Sequence, residues 1–307
     1  MRLLSYGPKG TERAGLWRDD AIVDLQRALE LLELPPATSD LRAFLERPDW
    51  RARLERVAGV RDRAALVDPA GVRLGPPVPT ARKLIIAGAN TYSHLKEAAR
   101  YTSAEPPLKP MLLAKATSAM AGPADDIVLP PETTKLDYEV ELGVVMGRTA
   151  RRIRTEEVPE YLAGYTVVND VSARDVQLAE WEKNPFYRTH FLGKSFDTFA
   201  PMGPHLVTTD EIPWGARLRL RTWVDGELRQ DSDTSDLCFG VAELVAYASQ
   251  FMTLHPGDII STGSPAGVAI FMTPPAFLQP GQVVTCEVER IGQVRNVIRA
   301  ESAAPPA

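Results

Sequence analysis

The 307-residue sequence predicts an α+β protein, mainly β, in which a small N-terminal α+β domain (residues 1–75) precedes a larger, mostly β domain (residues 76–307). Three observations carry this expectation. Helical spacing of apolar residues is concentrated before residue 60, short extended runs bounded by turn signals dominate after residue 83, and a Pro/Gly-rich stretch separates the two patterns.

In chain order, Arg2 to Tyr6 and Gly15 to Val23 read as short strands around a turn at Arg18-Asp19-Asp20. Helices follow where Leu25, Ala28, Leu29 and Leu32, then Leu41, Phe44 and Leu45, then Leu54, Val57 and Ala58 recur at helical spacing. Residues 71–83, with Gly71, Gly75, Pro76, Pro77 and Pro79, interrupt any regular element and read as a linker. Beyond it, Leu84 to Ala87, Met111 to Ala114, Tyr138 to Met146, Tyr165 to Val168, Leu206 to Val207 and Leu218 to Val224 look extended. Asp225-Gly226 marks one hairpin and Ile291-Gly292 another. A helix is expected over Gly240 to Met252, with Val241, Leu244, Val245 and Ala248 on one face.

Composition narrows the partners. With 44% hydrophobic and 24% charged residues the chain has material for a real core. Its net charge of -5 and its lack of a Lys/Arg-rich run argue against nucleic acid. No run approaches the ~20 apolar residues of a membrane span, and Tyr6, Gly7 and Pro8 interrupt the N-terminus before a signal-like apolar core forms. Cys238 and Cys286 lie far apart in stretches that read as packed, which suits a reducing, cytoplasmic setting.

The chemistry concentrates in KLDYEVELGVVMGR. On a strand, Tyr138, Val140, Leu142 and Val144 point one way and Asp137, Glu139 and Glu141 the other. Like charges on one face of so apolar a strand repel unless a cation sits among them; a solvated acidic face is the other reading. The next apolar run ends in Asn169-Asp170, and Asp170 would complete a three-carboxylate set. All-oxygen ligands suit Mg²⁺, Mn²⁺ or Ca²⁺, whereas His94, His190, His205 and His255 show no zinc-type spacing. Such an ion would bind a chelating 2-oxo acid and polarise its carbonyl. In NTYSHLKEAAR, a helix from Ser93 onward would place His94 and Glu97 on one face as an acid–base dyad, or as an ordinary exposed pair. Lys194 lies in a glycine- and aromatic-rich loop from which it could pair an oxyanion. Arg174 and Gln177 would face the same site if a helical turn follows Asp170, and STGSPAGV is rich in small residues but lacks a phosphate-loop ending.

Taken in order, KLIIAGANTYSHLKEA, AMAGPADDIVLP, LDYEVELGVVMGR, GYTVVNDVSARDVQ, GKSFDTFAPMGPHLVT, DGELRQDSDTSDLCFGVAELVAYASQFMTLHPGDIISTGSPAGV and IGQVRNVI resemble the fumarylacetoacetate hydrolase superfamily across most of residues 83–299. The resemblance implies a mixed β-sandwich roll, a small N-terminal domain and a homodimer. It implies Glu139, Glu141 and Asp170 as ligands of Mg²⁺ or Mn²⁺, and a His94/Glu97 dyad on a mobile lid hinged at Gly88-Ala89-Asn90. The family's lysine falls on Lys194, and substrate contacts fall on Arg174, Gln177, Thr262 and Gly263. Thr262-Gly263-Ser264-Pro265 departs from the usual T-G-T-P, Ala269 stands where glycine is common, and residues 181–191 look like an insertion.

The activity expected from this pattern is hydrolysis of a C–C bond in a small 2,4-dioxo acid such as an acylpyruvate, through a metal-chelated enolate. Decarboxylation of oxaloacetate, or lyase, hydratase or isomerase chemistry on a sugar-derived 2-oxo acid, is the first alternative. A non-catalytic metabolite-binding member is the second. Three carboxylates outnumber the two charges of the ion, so Lys194 and Arg174 are expected to supply the positive charge that admits a small anionic 2-oxo acid.

Overall fold

Local signals place the N-terminal elements. A computed structural model describes residues 1–35, 39–99, 104–179 and 189–302, so most of the insertion-like segment and the end of the ESAAPPA tail lie outside the described residues. Strands β1 (Arg2–Tyr6), β2 (Arg13–Arg18) and β3 (Ala21–Asp24) lead to helix α1 (Leu25–Leu31). Asp24 caps that helix by accepting the Arg27 N–H at 2.8 Å, and Leu25, Ala28 and Leu29 form its buried face. Then come α2 (Leu41–Leu45), α3 (Trp50–Ala58) and the short β4 (Leu66–Val67). The proline-rich stretch runs along β1: Gly75 donates its N–H to the Ser5 carbonyl at 2.8 Å, and the Ser5 hydroxyl donates to the Pro77 carbonyl at 2.8 Å.

The remainder is mostly strand, as expected. It contains β5 (Leu84–Gly88), α4 (Tyr92–Ala98), β6 (Met111–Lys115), β7 (Met120–Ala121), β8 (Ile127–Leu129), β9 (Leu136–Asp137) and β10 (Val140–Met146). These are followed by α5 (Val158–Tyr161), β11 (Leu162–Asn169), β12 (Ser172–Ala173), α6 (Arg174–Gln177), α7 (His190–Lys194) and β13 (Ala200–Thr208). The chain closes with β14 (Arg219–Val224), β15 (Glu227–Asp233), α8 (Val241–Phe251), β16 (Ile259–Ser261), β17 (Val283–Val288) and β18 (Gly292–Ala300).

Among the described residues, the larger sheet has 11 strands in the path β4-β3-β2-β1-β13-β11-β10-β16-β5-β6, with β7 paired to β13. It is continuous across the proline-rich stretch, because β1 pairs β13 with Leu3 opposite Leu206. The second sheet runs β15-β14-β17-β18-β8, and the two share one apolar core. Strands β10 and β11 are buried at every position, and apart from Glu141, Thr166 and Asn169 they consist of apolar residues, Tyr165 and glycine. The β14–β15 hairpin turns on Asp225 and Gly226, both at positive φ as a two-residue type I′ loop requires. The second hairpin turns at residues 289–291, with Val288 opposite Gly292.

One strand is much longer than its sequence suggests. Leu206 and Val207 are the end of β13, whose first half contains Pro201, Gly203 and Pro204. These residues read as breakers because proline offers no ladder N–H, yet pairing with β11 tolerates them through a register irregularity between Tyr165 and Val167. No helix among the described residues is long and apolar enough to cross a membrane.

His205 of β13 is 8% exposed and packs against Trp17 of β2, with ring centroids 5.5 Å apart. Burial, reinforced by the nearby Arg2 charge, lowers its pKa from 6.5 to about 4. The unfolded chain therefore binds a proton in this window that the folded chain refuses. The stability tied to neutral His205 is complete above about pH 6.5 and is lost as pH falls toward 4, by up to roughly 3 kcal/mol. Urea unfolding of His205→Gln between pH 4 and 7 should show a distinctly shallower acid slope than the parent. Identical slopes would remove His205 as the cause.

Candidate active site and metal centre

Glu139, Glu141 and Asp170 converge as the sequence suggests, each buried, with one ligand atom apiece within 4.8 Å of the others. The strand that carries them is not continuous. Instead of one run from Tyr138, β9 ends at Asp137 and β10 starts at Val140. Side chains replace ladder partners at the break: the Glu139 N–H donates to Asn169 Oδ1 at 3.0 Å and the Val140 N–H to Gln230 Oε1 at 3.1 Å. Asp137 consequently turns away from the Glu139–Glu141–Asp170 set while staying paired to Arg174. It accepts from the Ala269 and Ile270 N–H groups at 2.7 and 3.1 Å and pairs with Arg174 Nε at 2.8 Å.

Three buried cations face these acids. Lys194 Nζ lies 2.5 Å from Glu139 Oε2, also contacts Asp170 Oδ2, and donates to Ser172 Oγ at 2.9 Å. It is delivered by packing of α7 on α6: a Cβ at Gly193 would sit 2.7 Å from Gln177 Cα, so only glycine fits there. Arg174 reaches Glu139 Oε1 with Nη2 at 2.8 Å, and its Nη1 donates to Gln177 Oε1 at 3.0 Å. Arg174 and Gln177 thus lie at the cluster and hold each other. Lys115, at the end of β6, was not singled out from the sequence; its Nζ donates to Asp170 Oδ1 at 2.6 Å and to the Val171 carbonyl at 2.9 Å. The available signal was a lysine closing the apolar run MLLA, which also fits a strand that simply ends at solvent.

The electrostatics show what the cluster lacks. Burial, with Asp170 and Glu139 alongside, pushes the Glu141 carboxyl up to about 8. Burial also opposes charge on Glu139, but Arg174 and Lys194 together hold it well below the usual carboxylate range. Lys115 is pulled down to about 8, chiefly by burial. Lys194 is held above its ordinary value because Asp170 and Glu139 outweigh its desolvation. Counting Asp137, four carboxylates face three cations, and the deficit falls on Glu141. Hard oxygen donors short of one positive charge fit a divalent ion held by Glu139, Glu141 and Asp170. Bound there, a dication would leave the whole cluster one charge positive, a setting that attracts an anion.

The His94–Glu97 pair lies close enough to this cluster for the His94 charge to act on Glu139. Helix α4 begins at Tyr92, one residue before the expected start, with Thr91 as its cap. His94 Nδ1 and Glu97 Oε1 are 2.7 Å apart, and both side chains are less than a fifth exposed, so they are not an exposed surface pair. The other carboxylate oxygen of Glu97 accepts the Gly267 N–H at 2.9 Å. Gly267 has φ +104°, and a Cβ there would lie 2.0 Å from the Arg229 carbonyl, so the amide position requires glycine. Phe271 packs against the His94 ring at 5.7 Å.

At the expected hinge, Ala89 has φ +51° and Asn90 is buried, its Nδ2 donating to the Thr262 carbonyl at 2.8 Å. Gly263 donates its N–H to Glu141 Oε2 at 3.0 Å, and the buried Thr262 hydroxyl has no hydrogen-bond partner among the described residues. Glu141→Gln should weaken Mg²⁺ and Mn²⁺ binding by at least about 100-fold while leaving the circular dichroism unchanged. Undiminished affinity in calorimetry would rule Glu141 out as a ligand.

The family described as "Fumarylacetoacetate (FAA) hydrolase C-terminal" matches residues 83–299. Oxaloacetate tautomerase Fahd2a, mitochondrial, of Rattus norvegicus is 38% identical over 264 residues, covering 86% of this chain and 81% of that protein. Oxaloacetate tautomerase fahd2, mitochondrial, of Xenopus laevis is 35% identical over 302 residues, covering 97% and 90%. Among solved structures, maleylpyruvate hydrolase from Sphingobium sp. SYK-6 in complex with manganese(II) and pyruvate superposes with a TM-score of 0.75 at 27% identity, covering 98% of this chain and 100% of that one. Sequence, fold and the acidic cluster agree, and the chain belongs to the fumarylacetoacetate hydrolase family of metal-dependent enzymes.

Proposed function

We propose that the protein interconverts the keto and enol forms of a small 2-oxo dicarboxylic acid of the oxaloacetate type, with Mg²⁺ or Mn²⁺ as cofactor. The observation that carries this reading is a single loop. Residues 262–267 hold Glu141 through the Gly263 N–H and Glu97 through the Gly267 N–H, joining the carboxylate cluster and the acid–base pair in one site. The similarity to two oxaloacetate tautomerases supports the substrate class.

The chain's own residues perform the proton transfer. Glu97 accepts the Nδ1 proton of His94, which leaves the Nε2 lone pair as the base. Nε2 takes a proton from the carbon next to the keto group, and Glu97 stabilises the imidazolium that forms. Lys194 supplies a fixed positive charge for the oxygen on which negative charge develops. Returning the proton to that oxygen gives the enol and consumes no water. When bound, the divalent ion adds Lewis-acid polarisation of the keto group.

Hydrolysis of a 2,4-dioxo acid, the activity expected from the sequence, is the second reading. It is favoured by the similarity to a maleylpyruvate hydrolase solved with manganese(II) and pyruvate, and it would use the same dyad to activate water. Enol absorbance separates the two. Oxaloacetate enol should decay to the keto form faster with Mg²⁺-loaded enzyme than in buffer, and His94→Ala should lower kcat by about 10²- to 10⁴-fold with Mn²⁺ affinity retained. Rapid loss of an acylpyruvate enol band, with oxaloacetate enol decaying only at the buffer rate, would replace the first reading by the second.

A further inference from the structure

The dyad helix is fastened to the rest of the molecule by a residue outside the catalytic set. Asp236, in the turn after β15, accepts the Ser93 N–H with Oδ1 at 3.1 Å and takes the Ser93 hydroxyl in a short hydrogen bond with Oδ2. Ser232 Oγ also donates to Oδ2, at 3.3 Å. Because the Ser93 hydroxyl proton is committed to Asp236, its oxygen is left as an acceptor, and it receives the Ala266 N–H at 3.0 Å. The next amide, Gly267, binds Glu97.

Two consecutive peptide N–H groups therefore grip residues 93 and 97, one helical turn apart on the same face of α4, with His94 between them. The backbone adds its own ties, since Thr91 bridges Leu237 and the Cys238 N–H donates to the Asn90 carbonyl at 2.8 Å. We propose that Asp236 is a positioning residue for the His94–Glu97 dyad: by orienting the Ser93 hydroxyl it fixes α4 against the loop at Ala266 and Gly267. This rests on the reading of His94 and Glu97 as the acid–base pair. Asp236 itself touches neither His94 nor the carboxylate cluster in any of these hydrogen bonds, so its loss should be felt in geometry and not in metal affinity.

The test uses the full-length chain and compares Asp236→Asn, Ser93→Ala, Ser93→Thr and the Asp236→Asn/Ser93→Ala double variant. Three quantities are read: kcat and KM for oxaloacetate enol conversion with Mg²⁺, Mn²⁺ affinity by electron paramagnetic resonance, and the downfield proton resonance of the His94–Glu97 hydrogen bond, assigned by its absence in His94→Ala. Asp236→Asn and Ser93→Ala should each lower kcat by about 10- to 100-fold, with KM and Mn²⁺ affinity within about twofold of the parent. The downfield resonance should weaken in both. The double variant should be no worse than either single one, because the two act as a unit, and Ser93→Thr, which keeps the hydroxyl, should recover most of the rate.

Parent-like kcat and an intact resonance in Asp236→Asn would overturn the proposal while leaving the dyad in place, as would losses that multiply in the double variant. If the parent turns over neither oxaloacetate nor acylpyruvates, the functional reading fails by itself. The resonance then still decides whether Asp236 holds the dyad: weakening in Asp236→Asn and Ser93→Ala upholds the role and its persistence in both refutes it.

Discussion

The candidate site is built on seven ionisable side chains buried together, away from water. Asp137, Glu139, Glu141 and Asp170 are buried with Lys115, Arg174 and Lys194. Each charge alone would be very costly in this interior, and removing one member of a buried pair typically destabilises by about 3–5 kcal/mol because its partner stays buried and unpaired. The cluster is therefore demanding of geometry. Its members arrive from β6, β9, the break before β10, β10 itself, the end of β11, α6 and α7, and ion pairs couple all of these except β10, whose Glu141 is held by the Gly263 N–H.

The second demand is met by backbone amides. The loop after β16 donates N–H groups from Gly263 to Glu141, from Gly267 to Glu97 and from Ala269 and Ile270 to Asp137. A segment of about eight residues thereby orients three carboxylates with different partners: one in the acidic cluster, one on the imidazole and one on Arg174. Amides held by a loop have little freedom to reorganise, which is what an acid–base site requires of its surroundings. The small residues in STGSPAGV are explained by this crowding, most directly at Gly267.

The N-terminal segment ties down the far ends of the two strands that lead to the acidic cluster. Trp50 Nε1 donates to the Gly147 carbonyl at 3.3 Å and Arg51 Nη2 to the Leu162 carbonyl at 2.7 Å, so α3 satisfies carbonyls next to the end of β10 and at the start of β11. Strand β1 extends the sheet beyond β13. Strands β10 and β11, which carry Glu141 and lead into Asp170, are thus tied at their far ends and buried along their whole length.

Much of this was legible in the chain. Alternation on an apolar strand located Glu139 and Glu141, and an apolar run ending in an acid located Asp170. The helical spacing of His94 and Glu97 was visible too, as was the hairpin at Asp225-Gly226. By itself the sequence determined the mainly β class, the oxygen-donor residues that meet in the acidic cluster and the spacing that pairs His94 with Glu97, since these follow from local pattern and composition. Tertiary structure decided the rest. That Asp137 abandons the acidic face depends on Asn169 and Gln230 breaking the strand from 30 and 90 positions away. That Lys115 belongs to the site depends on where β6 ends against Asp170 and Val171, and that Gly267 governs Glu97 depends on two segments 170 positions apart meeting. Hydrogen bonds and ion pairs between distant segments carry no periodicity, so no local pattern could announce them.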